Sequence, residues 1–331
     1  MPPLPRVAVV GAGISGLVCA RLLTEAGATV QLFEKSRGVG GRMATRRTPQ
    51  GEIFDHGAQY FTARDVVFQR YIDQWVREGI VAPWAGRIVE LNAGTLLPCE
   101  PITRYVGVPG MTAIAKRLAS ELTVTLDTRA ASAHRTAANS WELTNEQGQS
   151  LGEFEVILAA VPPLQAAPLM AASGELTALI AAVNMQPCWA VMATFSSPLC
   201  TPFDGAFVND APLAWLARNS SKPGRPIDPE TWVLHAASAW SDEHLEEPAD
   251  GVISTLLAVA KDVYPAANWQ PSTAIAHRWR YAIPAQPLTK RSFYDQQNKL
   301  GICGDWCGGP RVEGAFLSGV ALAEQVLRSL V

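Results

Sequence analysis

Gly11-Ala12-Gly13-Ile14-Ser15-Gly16 joins an apolar, β-branched run, Val7 to Val10, to a stretch of helical spacing from about Ser15 to Ala26. A first glycine permits a tight turn, a second lets a pyrophosphate approach the backbone, and a third lets helix and strand pack closely. The amides of Ile14 and Ser15 then sit at a helix N-terminus, where unpaired N–H groups and the helix dipole favour phosphate. A second strand, Thr29 to Phe33, ends in Glu34, where a carboxylate takes both hydroxyls of a ribose and disfavours a 2′-phosphate. The chemistry implied is dinucleotide binding.

Two further segments say which dinucleotide. Lys35-Ser36-Arg37-Gly38-Val39-Gly40-Gly41-Arg42-Met43 supplies a second glycine cluster, which a simple nicotinamide dehydrogenase does not need. It looks like the Gly-Gly-Arg segment of FAD enzymes of the amine-oxidase-like group, in which Gly41 lets the chain pass the dinucleotide and Arg42 meets the pyrophosphate or the flavin. Near the C-terminus, Gly301-Ile302-Cys303-Gly304-Asp305-Trp306 is followed by Arg311-Val312-Glu313-Gly314-Ala315. A strand ending in Gly304 and Asp305 resembles the ribityl-binding segment. A helix starting near Val312 would aim its positive end at the flavin pyrimidine edge, with Arg311, Glu313 and Ala315 beside it. Lys35, Met43, Gln59, Tyr60 and Ala130 complete the expected cofactor contacts. Three segments in this order identify the cofactor as FAD.

The elements that position these residues divide the chain. Of 331 residues, 48% are hydrophobic and 17% charged, which suits a globular fold with an ample core. Met111 to Leu122 reads as a helix, and Val124 to Leu126, Trp141 to Leu143, Glu155 to Ala159 and Leu300 to Cys303 read as strands. A helix runs from Gly314 to Leu330. Residues 1–59, 106–164 and 295–331 are assigned to a Rossmann-type FAD-binding domain. Residues 60–105 and 165–294, rich in tryptophan, are assigned to an inserted mixed-sheet α+β substrate domain facing the cofactor. The fold class is therefore α/β.

Several functions are excluded. A net charge of −3 gives no basic field for nucleic acid or an anionic membrane. The opening Met1-Pro2-Pro3-Leu4-Pro5-Arg6 leads straight into a strand, with no signal-peptide core and no run of about twenty apolar residues. The six cysteines are scattered, and Cys303 with Cys307 lacks nearby histidines, so no metal and a reduced, cytoplasmic setting are expected.

With these residues in hand, the chain resembles the renalase family, within the FAD-dependent amine-oxidase-like superfamily, from Val7 to about Leu327. The more specific matches are Gly57-Ala58-Gln59-Tyr60-Phe61-Thr62, Val233-Leu234-His235-Ala236 and His277-Arg278-Trp279, with a bacterial-looking run from Trp215 to Arg225. The resemblance implies an oxidase of misreduced NAD(P)H isomers, with the hydride at C2 or C6 of the ring, that hands electrons to oxygen and yields hydrogen peroxide. Because the family's covalent attachment cysteine lies on another segment, FAD is expected to be held non-covalently.

No Ser/His/Asp or paired-carboxylate set stands out, which suits a dihydropyridine, since its own ring nitrogen expels the hydride. Arg311 occupies the place where amine oxidases carry an aromatic cage residue, and a cation there favours an anionic substrate over an ammonium. Gln59, Tyr60, His235, Arg278 and Trp279 are the candidate catalytic residues: Tyr60 and Trp279 as walls of the ring pocket, His235 and Gln59 as partners of a carboxamide. Arg218 and Asn219 are candidate substrate contacts. The plainer readings are a core His235, interface packing by Tyr60 and Trp279, and a solvated loop containing Arg218, Lys222 and Arg225. The rival functions are oxidation of an amine, polyamine or polyene, and a non-catalytic FAD-bound redox sensor.

Overall fold

The opening apolar run is the strand Arg6–Val10, and its residues Val7, Ala8 and Val9 are wholly buried because the strand is covered on both faces. The computed structural model describes residues 5–92 and 94–330, so the opening Met-Pro-Pro-Leu lies outside the described residues. The helix Ile14–Glu25 returns over the sheet, Gly27 turns the chain at φ +98°, and the strand Thr29–Phe33 pairs parallel to the first. Strands Thr123–Thr125 and Val156–Ala159 extend the parallel sheet on either side, followed by Leu300–Cys303 and an antiparallel edge, Ser292–Asp295. Segments far apart in sequence thus share one six-stranded sheet.

Helix Val312–Arg328 lies against helix Ile14–Glu25. Gly319 is required there, because a Cβ at that position would run into the carbonyl of Ser15. A three-stranded antiparallel sheet, Ala130–Arg135, Trp141–Asn145 and Ser150–Phe154, packs Trp141 and Phe154 onto the other side of the main sheet.

The second layer is a seven-stranded sheet whose middle strands are Met185–Phe195, Glu230–Ala236 and Leu213–Arg218. Its long edge partner Thr273–Pro284 pairs with Met185–Phe195, and Ile88–Asn92 and Thr95–Pro98 close the far side. Helix Ala249–Val263 covers one face and buries Val252, Leu256 and Ala260. Several helices were not located by the sequence reading. Val66–Arg77, capped by Asp65, buries Phe68, Ile72 and Trp75, and Gly174–Ala181 and Ala249–Val263 lie within the stretch assigned to the inserted α+β domain. Trp240 sits on a further short helix, Ser238–Glu243.

Candidate active site

Gly11, with φ +105°, makes the turn after the first strand, and its amide donates to the carbonyl of Phe33 at 2.8 Å. A Cβ on Gly16 would collide with the carbonyl of Gly11, so the third glycine is there for packing and does not line the groove. Gly13 is different: a Cβ there would meet nothing within 4 Å, because the residue faces an open groove at the N-terminus of its helix. The groove is a cavity of about 1300 Å³ lined by Gly11, Gly13, Glu34, Lys35, Gly41 and Ala130. Glu34 is 7% exposed and accepts the amides of Ala12 at 2.8 Å and Ser36 at 2.9 Å. A carboxylate has about four acceptor positions, so two remain for ribose hydroxyls.

The second glycine cluster covers the first. The amide of Gly40 donates to Ala12 at 2.8 Å, and Gly41 (φ +52°) passes Gly13 so closely that a Cβ would lie 3.5 Å from its Cα. Arg42 then reaches Asp305 in a bidentate pair, with both N–O distances 2.7 Å, and donates to the carbonyl of Ala282 at 2.9 Å. The sequence reading gave these two charges to separate parts of the cofactor. The structure pairs them with each other at the junction of the groove and a second cavity.

That second cavity, about 780 Å³, lies between the two sheets. Its cofactor-side wall carries Ile14, Ser15, Met43, Gly304 and Asp305, and then Arg311, Val312 and Ala315 at the N-terminal turn of the long helix. Gly13, Arg42, Ala160, Val161 and Trp279 line both cavities, so the two meet. The donors fit FAD: an open glycine cradle for the pyrophosphate, a buried carboxylate for the ribose, and a helix N-terminus where an electron-rich pyrimidine edge is favoured.

The opposite wall is aromatic. Tyr60 lies 5.5 Å from Trp215, and Phe207 lies 4.6 Å from Trp215. Trp279 donates from Nε1 to the carbonyl of His56 at 2.9 Å and stacks on the His56 ring at 5.0 Å. His235 shares that carbonyl, with Nε2 at 3.1 Å. One backbone oxygen therefore orients both Trp279 and His235. Donation from Nε2 leaves Nδ1 as the acceptor of a neutral ring. Burial holds His235 down to about 4 and His56 down to about 3, the latter with help from the nearby His277 and Arg46.

Several expected site residues stand elsewhere. Gln59 is buried one layer behind the cavity wall, with Oε1 accepting from Lys222 Nζ at 3.1 Å and Nε2 3.5 Å from His235 Nε2. Glu313 does not line either cavity; its carboxylate accepts the amides of Arg64 and Asp65 at 2.6 and 2.8 Å and ties the long helix to the start of Val66–Arg77. Arg278 borders the larger cavity but donates to Glu246 at 2.6 Å and lies over Trp189, because it alternates with His277 and Trp279 on its strand and points to the other face. Arg218 pairs with Asp204 and lies away from both cavities. Asn219 is wholly buried, with Nδ2 donating to Ile53 at 2.6 Å and Oδ1 accepting from Asp55 N.

The solvated loop is a correction of a different kind. Lys222 and Arg225 are 2% and 6% exposed, and both meet the fully buried Asp55. Lys222 lies 3.6 Å from Asp55 Oδ2, while Asp55 Oδ1 accepts the amide of Met111 at 2.9 Å. Burial is the largest influence on Asp55 and works to raise its pKa, but the two cations and these donors outweigh it and hold the carboxyl below its usual range. Burial pulls Lys222 down to about 7, against the opposing pull of Asp55. Only contacts distant in sequence could have signalled this triad. Arg104, which also lines the smaller cavity, was missed for the same reason.

A Rossmann groove that opens through an Arg–Asp pair into an aromatic chamber, with a helix N-terminus in the wall, defines a flavin-dependent oxidoreductase with FAD as its cofactor. The chain belongs to the flavin containing amine oxidoreductase family: that family matches residues 88–327, and an NAD(P)-binding Rossmann-like domain matches residues 9–75. It is similar to mouse (Mus musculus) renalase, with 23% identity over 87% of this chain and 88% of that protein. A shorter stretch of 63 residues, 18% of the chain and 10% of the relative, is 46% identical to the L-glutamate oxidase precursor of Streptomyces diastatochromogenes. Cyclohexylamine oxidase from Brevibacterium oxydans IH-35A shares the fold, with a TM-score of 0.77 at 15% identity over 99% of this chain and 100% of that one. A putrescine oxidase variant does so at a TM-score of 0.74 and 14% identity, over 98% and 99% of the two chains. Among the described residues, no helix is long and apolar enough to cross a membrane, and no group of three or more His, Cys, Asp or Glu is placed to hold a metal.

Proposed function

We propose that the chain oxidises misreduced nicotinamide dinucleotides, the 2- and 6-dihydro isomers of NAD(P), using oxygen as the final acceptor. The balance is dihydro-NAD(P) plus O2 plus one proton, giving NAD(P)+ and hydrogen peroxide. The observation that carries this reading is the chamber wall: flat aromatic side chains, the cations Arg64, Arg104 and Arg311, and a histidine held neutral. The similarity to renalase along most of both chains supports it.

FAD, bound without a covalent link, supplies the two-electron acceptor. The chain's own residues position the substrate. Tyr60, Trp215 and Trp279 line the chamber, an aromatic slot in which a planar ring would be shielded from water. His235 presents an acceptor from a neutral ring, suited to a carboxamide N–H. No proton abstraction is asked of the protein, because the dihydropyridine nitrogen drives hydride loss itself.

A second reading, oxidation of an amine, is favoured by Glu90 and Glu100, which also line the chamber and would attract an ammonium group. Anaerobic stopped-flow of the yellow holoenzyme separates the two. Mixing with 2-dihydro-NAD, 6-dihydro-NAD, NADH and a panel of amines is expected to bleach the flavin rapidly with the first two only. Bleaching by amines alone would establish the second reading, and slow reduction by every compound would point to a sensor.

A further inference from the structure

Arg104 is 8% exposed and lines the smaller cavity, yet no carboxylate among the described residues lies within ion-pair distance of it. Its Nε has no hydrogen-bond partner, and Nη1 has one long contact, 3.4 Å, to the carbonyl of Ile102. Arg225, buried to a similar depth, is paired with Asp55, and Arg42 with Asp305, whereas Arg64 and Arg311, which line the same cavity without an ion pair among the described residues, are exposed. A guanidinium is rarely buried without an anion, since the lost hydration must be replaced by charged hydrogen bonds.

The residue is held firmly. Tyr105 and Phe61 exchange backbone hydrogen bonds at 2.8 and 2.9 Å, and the carbonyl of Arg104 accepts from Trp84 N at 2.7 Å. This sets the guanidinium over the ring of Tyr60, 5.3 Å from its centroid, at the edge of the aromatic slot. Glu90 and Glu100 share the wall but leave Arg104 unpaired, and Arg64 and Arg311 add positive charge.

We propose that Arg104 anchors an anionic group of the substrate, a phosphate or pyrophosphate attached to the ring that occupies the slot. The nature of the ring rests on the oxidase reading above, whereas the anion site rests on Arg104 alone. Arg104 is thereby a specificity-determining residue: it selects phosphate-bearing substrates and adds nothing to the electron transfer itself.

The test uses the FAD-loaded protein and its flavin absorbance. Native, Arg104→Ala and Arg104→Lys proteins are titrated with NAD+ and with nicotinamide riboside, which lacks phosphate. Loss of a charge-assisted contact is expected to weaken NAD+ about 10- to 100-fold in Arg104→Ala. Riboside affinity is expected to change less than about twofold, and Arg104→Lys to recover part of the loss. With 6-dihydro-NAD, the apparent Kd for reduction rises by the same factor, and the limiting rate stays within about threefold. Equal weakening of NAD+ and riboside would show that Arg104 only shapes the slot and would overturn the proposal, as would unchanged NAD+ binding or no NAD+ binding by the native protein. Arg104-dependent NAD+ binding without reduction by either dihydro isomer would leave the anion site standing and remove the oxidase reading. Arg104→Gln serves if the alanine variant fails to retain flavin.

Discussion

Arg42 and Asp305 are 263 residues apart in sequence and form a bidentate ion pair at the point where the dinucleotide groove meets the substrate chamber. The pair fastens the glycine-rich segment after the second strand to the end of the strand Leu300–Cys303. It also leaves two mutually neutralised charges where the groove meets the chamber.

Breaking that pair should act on flavin retention. Asp305→Ala leaves the Arg42 guanidinium with only the Ala282 carbonyl and frees the segment that covers Gly13. Arg42 is about one-third exposed, so water screens part of the loss, and a stability decrease of about 1 kcal/mol is expected. The larger effect is expected on the ratio of flavin to protein absorbance after gel filtration. A variant that keeps full flavin through repeated dilution would show the pair to be dispensable.

The second and third glycines of the first motif should fail in different ways. Gly13→Ala adds a methyl group where nothing lies within 4 Å, so the protein folds, but the methyl intrudes on the phosphate path and flavin content falls by about tenfold or more. Gly16→Ala pushes a methyl into the carbonyl of Gly11 and costs about 1–3 kcal/mol of folding stability whether or not flavin is present. Thermal melts of the apo and holo forms distinguish these outcomes.

Acid should weaken the fold before the carboxylates titrate. His56 and His235 have folded pKa values of about 3 and 4 against an ordinary 6.5, so the unfolded chain binds more protons in between. Stability therefore falls as pH drops from about 6.5 towards 4. Urea midpoints at pH 7 and pH 5 measure the slope, and His235→Asn should flatten it. An unchanged slope in that variant would place the acid sensitivity elsewhere.

The buried triad makes the opposite end of the pH scale informative. Lys222, with a folded pKa of about 7 against 10.5, binds fewer protons in the native state between those values, so stability rises as pH rises from 7 towards 10. Lys222→Met should reduce that rise. Asp55→Asn, which leaves the buried Arg225 guanidinium without its anion, should cost about 3–5 kcal/mol in a chemical-denaturation measurement at pH 7.

The cofactor and the strand–turn–helix unit that frames the groove were legible in the amino-acid sequence because they depend on local rules. Gly11, Gly13 and Gly16 must be glycine for reasons of turn, approach and packing that operate within a single strand–turn–helix unit, and Glu34 follows at the end of the next strand. The chamber was legible only where a motif happened to supply a wall, as with Tyr60, His235 and Trp279. What tertiary structure alone decided is where each charge finds its partner. Arg218 meets Asp204, Arg278 meets Glu246, Lys222 and Arg225 meet Asp55, and Arg104 meets none of the described carboxylates. In sequence these are similar cations on polar segments. Burial and long-range pairing separate a solvated arginine from a core ion, and both arise only when distant strands are brought into register.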